Sequence, residues 1–318
     1  MNPLYEVKVT QRYSAGPDIS IIELESTQNE SLPSFEAGAH IELHLPNAMV
    51  RQYSLCQDPA QKQCYRLAIL RDQQSRGGSQ YIYDHLHQGS ELKISAPKNL
   101  FALAHSNDHH ILIGGGIGIT PLISMAYQLS QAQQSFELHY CAQSSAQAAF
   151  IEELKNSPFA AQVTFHFKDQ GANHRSYLHS HFENLAKSSH IYTCGPNPFM
   201  DWVFDLAKTH QFPAEQMHRE IFQNEVDIHG DSFEVVAQRS QKTIQVAADE
   251  SILDALAKNG IYVEKSCEQG VCGTCMCDVI EGSPDHRDVY LTDEEKQSNE
   301  QILVCCSRSN SERLILDI

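Results

Sequence analysis

The chain has 318 residues, 41% of them hydrophobic and 20% charged, which suits two or three packed domains and lies far from disordered composition. Its 23 Lys and Arg against 40 Asp and Glu leave a net charge of −17, which repels phosphate backbones and anionic lipids and argues against nucleic acid or a membrane as main partner. The stretch Met1–Glu6 shows no basic segment followed by an apolar core, so the expectation is a cytoplasmic protein without a secretory signal.

Residues 1–104 read as a small antiparallel β-barrel. Glu6–Tyr13, Ile19–Leu24, His40–Leu45 and Tyr65–Leu70 alternate or run apolar between Pro and Gly breaks. Within them, four of the chain's eleven arginines (Arg51, Arg66, Arg71 and Arg76) fall inside 26 residues of an otherwise acidic protein. Arginine binds phosphate bidentately, and Gly77-Gly78-Ser79 before the helical pattern Gln80–Leu86 offers backbone donors to the same anion. Tyr53, beside Arg51 and Ser54, can stack on a flat ring. Ordinary solvated strand arginines are the competing reading.

Residues 105–225 change rhythm. Apolar runs at Ile111–Ile113, Phe136–Tyr140, Val163–Phe167 and His190–Thr193 alternate with helical patterns at Pro121–Leu129, Ala146–Leu154 and Phe199–Lys208. That alternation predicts a parallel α/β sheet. No charged residue occurs from Ile111 to Phe136, but Gly114, Gly115, Gly116, Gly118 and Pro121 interrupt the stretch. It therefore reads as a buried strand running into a helix, with Thr120-Pro121 as N-cap and first-turn proline. A second turn, Cys194-Gly195-Pro196-Asn197-Pro198, also ends a strand and opens a helix. Two such crevices at one sheet edge predict a dinucleotide site.

Residues 226–232 read as a polar linker to a third domain, residues 233–318. From residue 226 onward the chain holds 18 acidic and 8 basic side chains, a net of −10 (18 − 8). Ser251-Ile252-Leu253-Asp254 matches a capping box that opens a helix, and Gly260 closes it. Six of the ten cysteines crowd the last 52 residues. In a cytosolic chain such clustering points to metal or redox work. Cys267-x4-Cys272-x2-Cys275, with 29 residues before Cys305, is the plant-type [2Fe–2S] spacing. Gly270 and Gly273 suit tight turns with backbone N–H groups aimed at the sulfurs. Zinc is the alternative, although its motifs usually combine two pairs with two-residue gaps. Cys277 and Cys306 are competing ligands, and the spacing favours Cys275 and Cys305 over them.

The seventeen histidines suggest no site. His179-x-His181 and His85-x-His87 are the closest pairs, and a helix separates residues two apart, so they read as polar surface. His286, in Pro284–Asp288, reads as a turn or partner contact. No Ser-His-Asp arrangement suggests itself.

Arg-x-Tyr-Ser, Gly-Gly-Ile-Gly-Ile-Thr-Pro, Cys-Gly-Pro and the iron–sulfur motif occur here in the order of the phthalate dioxygenase reductase family, which the chain resembles over essentially its whole length. Arg51–Cys56, Phe199–Val203 and Ser266–Cys275 look most like its vanillate O-demethylase branch. The resemblance implies a multidomain fold of FMN-binding β-barrel, NAD-binding α/β domain and β-grasp ferredoxin domain. It implies an enzyme that passes electrons from NADH to a separate Rieske oxygenase, with the ferredoxin domain as the docking module. By the same resemblance Arg51, Tyr53, Ser54, Leu70, Arg71, Gly78, Ser79, Gln80, Thr120 and Phe222 line the FMN. Gly115, Gly116, Cys194, Gly195 and Pro196 face the nicotinamide nucleotide. FMN over FAD, and NADH over NADPH, are inherited from it too. A reductase for another Rieske monooxygenase, of carnitine or phthalate type, is the alternative, as is a redox-sensing or electron-transfer subunit of a larger complex.

The chemistry agrees with this grouping. NADH gives up an electron pair and an iron–sulfur cluster accepts single electrons, so a flavin between them reconciles the two. Plant-type clusters lie near roughly −400 mV and Rieske centres at roughly −150 to +300 mV, so electrons run outward from the ferredoxin domain.

Overall fold

The computed structural model describes residues 3–318 except Asn29, Ala48, Gln74, Ser75 and Ala172. The chain divides into two compact units, Met1–Glu220 and Ile221–Ile318.

The first unit opens with β1 (Leu4–Ser14), β2 (Ile19–Ser26), β3 (His40–His44), β4 (Val50–Ser54), β5 (Tyr65–Leu70), α1 (Gly78–His85) and β6 (Glu91–Ser95). The strands form one sheet in the order β4-β3-β6-β1-β2-β5, antiparallel throughout. Just beyond β4, the Cys56 N–H donates to the Arg66 carbonyl on β5 (3.0 Å). This bond joins the two outer strands and closes the sheet into a barrel. Alternate residues such as Val7, Val9, Ile22, Leu24, Ile41 and Leu43 fill its interior, and Ile82 of α1 packs against the same core.

The unit continues with β7 (His110–Gly115), α2 (Ile119–Gln131), β8 (Phe136–Ala142), α3 (Ile151–Lys155), β9 (Val163–Phe167), α4 (His174–Phe182), β10 (His190–Cys194), α5 (Asn197–Thr209) and β11 (Met217–Glu220). These strands form a parallel sheet in the order β11-β10-β7-β8-β9. All six residues of the central β7 are buried, which explains an apolar run without alternation. The chain moves outward from β7 through β8 to β9, then returns to place β10 on the other side of β7. The crevice beyond the ends of β7 and β10 is therefore a topological switch point. The uncharged stretch is β7 followed by α2, as expected, and among the described residues no helix is long and apolar enough to cross a membrane. One detail differs. A tight turn at Gly116–Gly118 already winds the chain, so α2 starts at Ile119 with Gly118 as its N-cap. Thr120 falls inside the first turn, and its hydroxyl donates to the Ile117 carbonyl (3.1 Å).

The second unit holds β12 (Phe233–Ala237), β13 (Lys242–Val246), α6 (Ile252–Lys258), β14 (Met276–Glu281), β15 (Pro284–Asp285), α7 (Asp293–Ser298), β16 (Gln301–Leu303), β17 (Arg308–Ser309) and β18 (Arg313–Leu316). Its main sheet has the order β13-β12-β18-β14-β16, with β12 and β18 parallel and the other pairs antiparallel. With α6 packed on it, this is a β-grasp arrangement. Ser251 caps α6 as expected, its Oγ accepting the Asp254 N–H (3.1 Å), and Gly260 follows the helix at φ +74°. The segment 226–232 is fastened to this unit. The guanidinium of the buried Arg308 donates to the carbonyls of Ile228 (2.6 Å), Asp231 (2.9 Å), Ala247 (3.0 Å) and Glu250 (2.7 Å). Its planar face lies over the Phe233 ring.

Candidate cofactor sites

Arg51 on β4 lies directly against the start of α1. A methyl group on Gly78 would stand 2.2 Å from the Arg51 Nε, so only glycine lets the guanidinium reach the first turn of the helix. There the guanidinium donates to the Val50 carbonyl (2.7 Å) and the Arg76 carbonyl (3.1 Å). Ser79 is buried in the same turn, its Oγ accepting the Asp72 N–H (3.3 Å). A guanidinium beside a helix N-terminus is what a phosphate needs. Arg71 Nε donates to Gln80 (2.9 Å), and the guanidinium covers the Tyr83 ring at 4.2 Å. Tyr53 packs half-buried against the barrel core, and Leu70 ends β5 exposed. Arg51, Leu70, Arg71, Gly78, Ser79 and Gln80 thus belong to the strand ends of the barrel and the helix that follows them. Arg66 does other work, clamping Glu153 of α3 through two bonds (3.0 and 2.7 Å). Phe222 lies half-buried in the second unit.

The two glycine-containing turns meet at the switch point. A methyl group on Gly118 would stand 2.3 Å from the Cys194 carbonyl oxygen, so the backbones of the two turns touch. Gly115 lies against the Phe199 ring in α5, and Pro196 precedes that helix. Gly115, Gly116, Cys194, Gly195 and Pro196 therefore share one sheet edge, with Thr120 in the helix that leaves it.

One residue of this region was not legible in the sequence. Glu220 ends β11 in register with Cys194, and its carboxyl accepts from Ser54 Oγ across the barrel rim (3.1 Å). Burial raises the Glu220 carboxyl to about 8, against which the Ser54 bond acts only partly. The acid therefore holds its proton to well above the ordinary carboxylate range. Burial, reinforced by Glu220, likewise keeps the Cys194 thiol protonated. Locally, Met-His-Arg-Glu at a strand end looks solvated, and only the neighbouring strand and the barrel reveal the burial.

In the second unit, Gly270 (φ +70°) and Gly273 (φ +71°) bend the loop from Cys267 to Cys275. Both conformations are left-handed, and both glycines lie tightly against neighbours, Gly273 against the Tyr290 ring. Cys267 and Cys272 hydrogen-bond to each other, as do Cys275 and Cys305. Backbone N–H groups of Gln269 and Val271 face the Cys267 sulfur, and that of Gly270 faces Cys305. The Cys267 hydrogen bond first, and Thr274 with it, bring the Cys272 thiol below its ordinary range. Cys306 is fully buried with its Sγ near the Leu303 carbonyl (3.7 Å). Cys277 is buried beside the Cys275 carbonyl (3.7 Å).

The pairing distinguishes two metals. A tetrahedral zinc with Zn–S bonds of about 2.3 Å brings all four sulfurs within about 3.8 Å of one another. Among the described residues, no three cysteine sulfurs lie within 4.8 Å of one another. The Cys267–Cys272 and Cys275–Cys305 pairs fit a binuclear cluster, two ligands to each iron, with Cys306 as a further hydrogen-bond neighbour of Cys305.

Residues 235–310 match the family of 2Fe-2S iron-sulfur cluster binding domains, and residues 112–205 match the oxidoreductase NAD-binding domain family. The chain is 41% identical over 317 residues to the vanillate O-demethylase oxidoreductase of Pseudomonas sp. (strain HR199 / DSM 7063), covering 99% of this chain and 100% of that protein. It superposes on phthalate dioxygenase reductase, a modular structure for electron transfer from pyridine nucleotides to [2Fe–2S], with a TM-score of 0.77, 36% identity and coverage of 99% and 98%. It also resembles part of an intact type IV self-sufficient cytochrome P450 monooxygenase, with a TM-score of 0.86 and 33% identity. That match covers 99% of this chain, which spans 41% of the P450 chain.

Proposed function

This chain belongs to the phthalate dioxygenase reductase family, and from that membership we propose that it carries electrons from NADH to a Rieske-type oxygenase, an aromatic O-demethylase of vanillate type. The observation that supports this most directly is the pair of thiol pairs, a one-electron centre, in the same chain as a nucleotide-binding sheet. When bound, FMN would supply the exchange between the two-electron hydride of the nicotinamide and the single electrons that an iron–sulfur cluster takes.

The protein's own part is positioning and proton control. Arg51 and the first turn of α1 would hold the FMN phosphate, with Gly78 and Ser79 supplying backbone donors. Tyr53, Leu70, Arg71, Gln80 and Thr120 would line the isoalloxazine and ribityl portions. The touching turns at Gly115–Gly116 and Cys194–Pro196 would receive the nucleotide, since backbone without side chains permits close approach. Glu220 holds a proton on its largely desolvated carboxyl beside Ser54 Oγ. Two-electron flavin reduction consumes such a proton. Cys267, Cys272, Cys275 and Cys305 would carry the cluster, their remaining protons leaving as iron binds.

Purified protein should show flavin bands over a broad iron–sulfur shoulder and reduce ferricyanide with NADH. Mixed with a vanillate O-demethylase oxygenase, it should support NADH-dependent demethylation of vanillate. Loss of flavin bands from fully folded protein sinks the reductase reading. Ferricyanide turnover without demethylation would instead remove vanillate while leaving the class.

A further inference from the structure

We propose that Glu137 and His139 of β8, with His181 of α4, form a binding site for a divalent transition-metal ion of the zinc class on the NAD-binding half of the first unit. A solvent water would complete the tetrahedron. This inference stands apart from the reductase reading and uses none of its residues.

Residues 137 and 139 are two apart on a strand, so their side chains share one face of the sheet. Across that face, α4 presents His181. One ligand atom from each of the three residues lies within 4.8 Å of the other two. His181 Nε2 is 2.6 Å from Glu137 Oε1, and His139 Nε2 is 3.4 Å from the same oxygen.

His139 carries the argument furthest. It is 1% exposed, and its buried Nε2 faces Glu137 Oε1 at 3.4 Å without a well-aligned hydrogen bond. A buried imidazole nitrogen aimed at a carboxylate and left unsatisfied is costly unless something else occupies the position. Its other nitrogen, Nδ1, is engaged by His166 Nε2 at 3.2 Å. This is the outer contact that fixes the ring and frees Nε2 to ligate. His109 stands nearby, its Nε2 3.9 Å from Glu137 Oε1 and its Nδ1 bonded to Ser135 Oγ (2.8 Å).

Access is open on one side, since Glu137 and His181 side chains are 20% and 28% exposed. Two imidazoles and one carboxylate suit zinc, nickel or copper and suit calcium or magnesium poorly. Binding replaces the His181–Glu137 hydrogen bond by two metal bonds, with the His181 ring carrying its hydrogen on Nδ1. The ion would then tie α4 to β8. The surface reading of His179-x-His181 is correct for His179, which faces Glu183 and His210. His181, on the other side of the helix, is the one that turns inward.

The test is calorimetric titration of the flavin- and cluster-loaded full-length protein with Zn²⁺, followed by zinc-edge X-ray absorption. One Zn²⁺ per chain at micromolar affinity or tighter, with nitrogen and oxygen but no sulfur ligands, is the expected result. His181→Ala and Glu137→Gln should each weaken binding by about tenfold or more, while His179→Ala leaves it unchanged. Zn²⁺ should raise the thermal midpoint of the wild type and not that of His181→Ala. Unchanged NADH–ferricyanide turnover in His181→Ala confirms that the variant is folded. Undiminished Zn²⁺ affinity in folded His181→Ala, sulfur in the zinc shell, or no uptake by the wild type overturns the proposal.

Discussion

Desolvation of its carboxyl makes Glu220 sensitive to pH. Its folded value of about 8 lies above the 4.5 of an exposed glutamate, so the folded state binds the proton more tightly than the unfolded chain does. The stability it contributes is complete below about pH 4.5 and is lost as pH rises towards 8. At 1.36 kcal/mol per unit, the full shift corresponds to ~5 kcal/mol. Glu220→Gln should therefore flatten the pH dependence of the unfolding midpoint between those values, and it should slow flavin reduction by NADH. A wild-type midpoint independent of pH over this interval would show that the carboxyl is not held neutral. Arg51 offers the complementary test. A charge-assisted bond to phosphate is worth about 1.5–3 kcal/mol, roughly ten- to a hundredfold in affinity. Arg51→Ala should lose flavin on dialysis while keeping its thermal midpoint within a few degrees. A variant that retains its full flavin through dialysis removes Arg51 from the phosphate site.

At the scale of elements, the cluster loop works because two left-handed glycines let seven residues curl while their N–H groups point inward. Three of the four thiols come from this loop and the fourth from the chain beyond β16, all inside the second unit. The nucleotide edge and the Arg51 turn lie in the first unit. Cys272→Ser should accordingly abolish the iron–sulfur absorbance and the reduction of cytochrome c, while NADH–ferricyanide turnover and flavin content persist. If both activities disappear in a folded, flavin-loaded variant, the two units do not work as separate stages.

Charge belongs to the whole molecule. Residues 226–318 carry −10 of the net −17, which suggests that this portion meets a basic patch on the oxygenase. Such steering is screened over roughly 8–10 Å at physiological ionic strength. Coupled turnover should fall as salt rises, while stopped-flow reduction of the flavin by NADH stays constant. Coupled turnover that remains flat from low to high salt removes the docking argument. Ferricyanide is a poor control, because the protein repels that anion too.

Local signals decided much of this protein. The Cys-x4-Cys-x2-Cys spacing, the glycine turns after apolar strands and the Ser251 cap each depend on residues a few positions apart, so periodicity and turn chemistry expose them. Thr120 missed its expected place by a small margin because the turn before α2 began winding early. What tertiary structure alone decided lies where distant strands meet. Glu220 holds its proton only because the segments around the end of β11 desolvate its carboxyl, against the opposing pull of the Ser54 hydroxyl. Arg66 becomes a clamp only because α3 brings Glu153 to it. His181 finds Glu137 and His139 because α4 crosses β8, 44 residues away in sequence from Glu137. A buried charge takes its protonation state and its partners from desolvation by distant segments, and that environment has no signature in the residues beside it.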